Sequence, residues 1–160
     1  MKRRLTHLDR SGRAHMVDVG AKRVTQRMAV AEAVVHMRPE TLRLVLAGGI
    51  KKGDAFAVSR LAGIMAAKQV PAIIPLCHAI SLTSVAVDLK PEPPGAVRIT
   101  ATARASDKTG VEMEALTAAA VAALSLYDMA KAVDREMTID SLRLLEKAGG
   151  RSGHFKRKRS

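Results

Sequence analysis

Aromatic side chains are nearly absent from this 160-residue chain: it has Phe56, Phe155 and Tyr127 and no tryptophan. So few flat rings leave almost nothing for nucleic-acid bases to stack on, whatever a net charge of +12 suggests. Cysteine occurs once, at Cys77, which excludes an intrachain disulfide framework and makes a reducing, cytoplasmic setting the expectation. There is no uncharged apolar run of 18 residues near the start, Met1-Lys2-Arg3-Arg4, which argues against a secretory signal and a membrane span. The glycine-rich phosphate cradles Gly-x-x-x-x-Gly-Lys-Ser/Thr and Gly-x-Gly-x-x-Gly are missing too. His7, His15, His36, Cys77 and His78 have no zinc-ligand spacing, so no structural metal is expected.

The basic charge sits at the two ends. Residues 1–30 carry eight Lys/Arg against Asp9 and Asp18, and residues 151–160 carry five and no acid, while the 120 residues between are close to neutral. One reading is a basic oligomeric protein that binds nucleic acid through these ends, with affinity that falls steeply as salt rises. The scarcity of aromatics weighs against it.

The length suits one domain, 1–160, with 1–13 and 149–160 flexible. A strand is expected over 31–38, then a helix from Pro39 through Leu42, Leu44 and Leu46 that Gly48-Gly49 ends. Asp54 caps a second helix reaching Lys68. Pro71 and Pro75 punctuate the next segment too heavily for a helix. Residues 80–90 alternate through Val85, Val87 and Leu89. Residues 96–105 put Val97, Ile99, Ala101 and Ala103 on one face and Arg98, Thr100, Thr102 and Arg104 on the other, giving a hairpin about the turn Pro91-Glu92-Pro93-Pro94-Gly95. A long alanine-rich helix lies between Lys108 and Lys131, and a last strand spans 137–145. The order predicts an α+β fold of ferredoxin-like type, an antiparallel sheet with helices packed on one face.

The long helix carries its charges at its ends only: Lys108, Glu112 and Glu114 in front, Asp128 and Lys131 behind. Thr109 and Glu112 match a capping box, which gives Glu112 a structural role. Glu114 and Asp128 differ by only about 40° around the helix and share a face with Thr117, Val121 and Leu124, yet lie about 21 Å apart along it. Two copies meeting antiparallel on that face would bring Glu114 of one toward Asp128 of the other. Asp128 and Lys131 are either a surface ion pair or a general acid/base pair, with burial lowering the lysine's pKa. Lys51 and Lys52 precede a helix N-terminus where a phosphate would be favoured, though Asp54 competes for the same N–H groups. His78 ends an apolar run, as a core histidine or a catalytic one. Cys77 has no activating neighbour in the sequence.

These segments fall into one pattern. His15-Met16-Val17-Asp18-Val19, Lys52-Gly53-Asp54, Pro75-Leu76-Cys77-His78, Lys108-Thr109-Gly110-Val111-Glu112-Met113-Glu114, Tyr127-Asp128-Met129-Ala130-Lys131 and Lys147-Ala148-Gly149-Gly150 occur in that order. From about Leu5 to Phe155 the chain resembles the cyclic pyranopterin monophosphate synthase family of molybdenum cofactor biosynthesis. The resemblance implies a lyase that converts (8S)-3′,8-cyclo-7,8-dihydroguanosine 5′-triphosphate to cyclic pyranopterin monophosphate and diphosphate. It implies a homohexamer, a trimer of dimers with sites at the dimer interface, and no cofactor, although magnesium is compatible with the substrate phosphates. By matched position Asp128, Lys131 and Lys52 are catalytic; Leu76, Cys77, His78, Met113 and Glu114 bind substrate, as do Arg27 and Lys147, with Arg23 and Arg151 as weaker candidates for the phosphate tail. Ala79, Asp107 and Arg151 depart from the family's usual Pro, Gly and Lys, and none of the three removes a reactive group.

Overall fold

The computed structural model describes Ser11, Arg13, residues 15–151 and residues 153–158. The loose segment expected over 1–13 lies outside the described residues except at Ser11 and Arg13, as do Ser152, Arg159 and Ser160. Strand β1 (Thr25–His36) is followed by helices α1 (Pro39–Leu46), α2 (Ala55–Ala67) and α3 (Val70–Ile73). Strands β2 (Leu82–Glu92) and β3 (Ala96–Asp107), helix α4 (Glu112–Ala130), and strands β4 (Thr138–Ala148) and β5 (Phe155–Lys156) complete the order. One antiparallel sheet runs β2-β3-β1-β4-β5. The helices cover a single face of it, as an α+β fold of ferredoxin-like type requires.

Alanine on both surfaces sets how the layers meet. From the sheet come Ala29, Ala31, Ala33, Ala101, Ala103 and Ala105, and from α4 come Ala115, Ala118, Ala119, Ala122 and Ala123, all with no exposure. Such short side chains let the helix ride close to the strands. Helix α2 then packs on α4 at Gly63, where an added Cβ would stand 2.7 Å from the Ala118 carbonyl oxygen. The open face of the sheet is polar, and its centre is ionic. Glu32 on β1, 4% exposed, accepts hydrogen bonds from Arg98 on β3 and Arg143 on β4, each at 2.7 Å, and Arg98 also donates to Glu92.

Several expectations need correction. Strand β1 begins at Thr25 rather than 31, because polar Thr25, Gln26 and Arg27 pair with Asp107, Ser106 and Ala105 despite lacking an apolar pattern. A one-turn helix does form at Val70–Ile73: Pro71 sits in its first turn, where a missing N–H breaks no helical bond. Strand β4 runs on to Ala148, and the segment expected to be loose beyond it returns as β5 to pair with Glu146 and Lys147.

Candidate active site

Chemistry gathers at both ends of α4. At its C-terminal end Asp128 lies in the last turn and Lys131 is the C-cap residue. Lys52 arrives from the turn before α2, which Gly53 makes with a φ of +100° and Asp54 ends by accepting the N–H groups of Phe56 and Ala57. Lys131 Nζ stands 2.7 Å from Asp128 Oδ1, and Lys52 Nζ stands 2.7 Å from Oδ2 and 3.0 Å from the Asp128 carbonyl oxygen. The hydrogen bonds from Lys131 and Lys52 hold the Asp128 carboxyl down to about 2. In turn, Asp128 raises Lys131. This corrects the expectation of a lysine brought toward neutrality by burial: Lys131 is about half exposed and is shifted up, not down. The result is two ammonium groups bridged by one carboxylate, with a net positive charge for an anion and a deprotonated carboxylate for accepting a proton. Lys51, by contrast, is simply exposed.

The N-terminal end of α4 borders two adjoining cavities. Leu76, Cys77, His78, Met113 and Glu114 line one of about 390 Å³, together with Val17, Val19 and Lys22. The Nε2 of His78 donates to the Val17 carbonyl oxygen at 2.7 Å, which orients the ring in this wall. Glu114 is buried, and desolvation pushes its carboxyl up, helped by the charges of Glu112 and Asp107. Burial also raises the Cys77 thiol, with Glu114 adding to the effect, so Cys77 is a wall rather than a nucleophile.

The second cavity, about 790 Å³, is strongly cationic: Lys22, Arg23, Arg27, Lys108, Lys147 and Arg151 surround it. Arg27 is aimed by its hydrogen bonds to the Asp107 and Lys108 carbonyl oxygens, at 3.2 and 3.1 Å. Lys147 pairs with Glu112 at 2.8 Å. That contact overturns the capping box, for α4 begins at Glu112 with Val111 as N-cap and no side-chain capping bond. Thr109 and Gly110 line the cavities instead.

The match to a family model covers residues 16–150, described as the MoaC family. The chain belongs to the MoaC family. This is the cyclic pyranopterin monophosphate synthase family, so the protein is an enzyme of molybdenum cofactor biosynthesis. The matched span is shorter than the resemblance from Leu5 to Phe155, but it holds every site residue named from the sequence except Arg151. In this MoaC-family chain one fold unites Leu76, Cys77, His78, Met113 and Glu114 in one cavity, puts Arg27 and Lys147 beside it, and places Lys52, Asp128 and Lys131 elsewhere. The two groups are separated by most of α4, about 21 Å. Lys22 was not among the sequence candidates, and the contact of the Val17 backbone with His78 was not foreseen, because an irregular segment carries no periodicity to place it.

Proposed function

We propose that the protein converts (8S)-3′,8-cyclo-7,8-dihydroguanosine 5′-triphosphate to cyclic pyranopterin monophosphate and diphosphate. The observation that carries this reading is the Lys52–Asp128–Lys131 cluster at one end of α4, with both lysines 2.7 Å from one carboxylate, set against a cation-lined cavity at the other. Opening the dihydropurine ring and closing a pterin demand proton transfers, which a carboxylate held between two ammonium groups can conduct once an imidazole is brought to it from a second copy of the chain. Asp128 accepts, Lys131 donates, and His78 with Glu114 holds the ring. Closing the cyclic phosphate requires a sugar hydroxyl to attack the α-phosphorus as diphosphate leaves. Lys52, Arg27 and Lys147 neutralise the charge that develops, and any magnesium would arrive with the phosphates.

A complete site takes two chains in this reading. Val58, Leu61 and Met65 on α2 and Leu124 on α4 are 42–59% exposed, an apolar face that supports pairing with a second copy. Antiparallel α4 helices then deliver the Asp128 cluster of one subunit to the Glu114 cavity of its partner, and three such dimers make a cytoplasmic hexamer.

Incubation with the cyclic dihydroguanosine triphosphate tests the reaction, with pterin monophosphate and diphosphate followed by chromatography. We expect both products, and an Asp128→Asn protein that assembles normally while losing at least about 100-fold in turnover. No product from well-folded, assembled wild-type protein would end the proposal.

A further inference from the structure

Outside the residues that line the cavities, one acidic side chain is placed to hold a wall of the cationic one. After Ala148 the chain turns through Gly149, Gly150 and Arg151 and comes back as β5. Gly149 and Gly150 have φ of +99° and +73°, and a Cβ on either would collide, with the Gln26 carbonyl oxygen and the Arg27 guanidinium respectively. The turn thus lies directly on Arg27, and it carries Arg151 into the cavity wall. Gly149 and Gly150 have no side chains to pack and Arg151 is exposed, so the turn's position depends on what holds β5.

Two residues of ladder are a weak hold, and Phe155 in that strand is 40% exposed. Side chains do the rest. Neighbours on a strand face opposite ways, so with Lys147 in the cavity wall, Glu146 projects to the other side. There its Oε1 lies 2.7 Å from His154 Nε2 and its Oε2 lies 3.6 Å from Lys156 Nζ. Arg157 adds hydrogen bonds to the Leu144 and Leu145 carbonyl oxygens at 2.8 and 2.7 Å.

We propose that Glu146 is a positioning residue: by gripping His154 and Lys156 it pins β5 to β4, and so holds the Gly149–Arg151 turn over Arg27 with Arg151 directed at the outer phosphates of a bound triphosphate. The proposal rests on the reading of the cationic cavity as the triphosphate site, and Glu146 itself touches no substrate. A half-exposed ion pair contributes little to global stability, but here it opposes a local opening that needs only β5 to lift.

Steady-state kinetics on the full chain, amide hydrogen exchange and titration with inorganic tripolyphosphate test it together. For Glu146→Gln, KM rises about tenfold while kcat changes less than about twofold, the signature of lost binding rather than lost chemistry. Exchange across 149–157 accelerates in the same variant. Arg151→Gln raises KM similarly, and the double variant is no worse than the more severe single one, because both remove one interaction. The pair His154→Gln and Lys156→Gln leaves Glu146 in place, reproduces the KM shift, and guards against a folding defect particular to Glu146→Gln. A Glu146→Gln protein with wild-type KM and wild-type exchange, or effects of Glu146 and Arg151 that simply add, would overturn the proposal. Should wild type yield no product, the reaction is wrong, yet the clamp is still read by tripolyphosphate: weaker binding by Glu146→Gln sustains it and equal binding rejects it.

Discussion

Glu114 sets a carboxyl into a cavity wall where only 2% of the residue stays exposed, so at neutral pH its charge opposes folding. Because burial raises its folded pKa above the ordinary 4.5, its favourable contribution is complete below that value and is lost as pH rises through the folded pKa. Glu114→Gln should therefore raise the urea midpoint at pH 7–8 and make no difference below about pH 4, where the carboxyl is protonated in both states. An unchanged midpoint at pH 8 would show that the charge is not opposing the fold. Asp128 has the opposite sign, held down to about 2 by Lys131 and Lys52, but its half-exposed cluster contributes little to stability. The Asp128–Lys131 pair was visible as an i,i+3 spacing. Lys52 was named by its matched position, but its contact with Asp128 was not visible, because the two meet across 76 residues of sequence. Glu112 misled for the same reason: its local pattern fitted a cap, but Lys147, 35 residues away, takes its carboxylate.

Between elements, the close approach of α2 to α4 rests on Gly63. Its missing side chain leaves room for the Ala118 carbonyl, the Ala122 methyl and a Val87 methyl, and a backbone oxygen cannot swing aside as a side-chain tip would. Gly63→Val should cost about 2–3 kcal/mol by overpacking, read as a lower urea midpoint with an unchanged slope. Full stability in that variant would mean the helices can separate freely. Strand β3 was legible from alternation because one face is buried on alanine and the other meets water: Val97, Ile99, Ala101 and Ala103 all have no exposure. Helix α3 and strand β5 were not, since a single turn and a two-residue strand are too short to show a period.

Across the whole molecule, α4 is long and apolar enough to cross a bilayer by length and composition, yet half of it is buried inside this protein's own fold. In the proposed reaction its length sets two half-sites apart. Lys52 and Asp128 belong to one chain's cluster, so mixing subunits inactivated at those two positions should restore nothing. Subunits carrying Asp128→Ala mixed with subunits carrying His78→Ala should instead recover part of the activity, because one interface then combines an intact cluster with an intact cavity. Absence of recovery after proven subunit exchange would confine the working site to one chain.

What the sequence determined by itself is what neighbours a few residues apart enforce: the alternating strands, the capped α2, the unbroken α4 with its charges at the ends, and the motifs that carry the family resemblance. Only tertiary structure decided that Lys52 joins Asp128, that Glu112 turns from the helix cap to Lys147, and that the turn after β4 lies on Arg27. Each of these is a contact between distant segments, and its partner is selected by how the sheet and helices pack rather than by any preference of the residues alone.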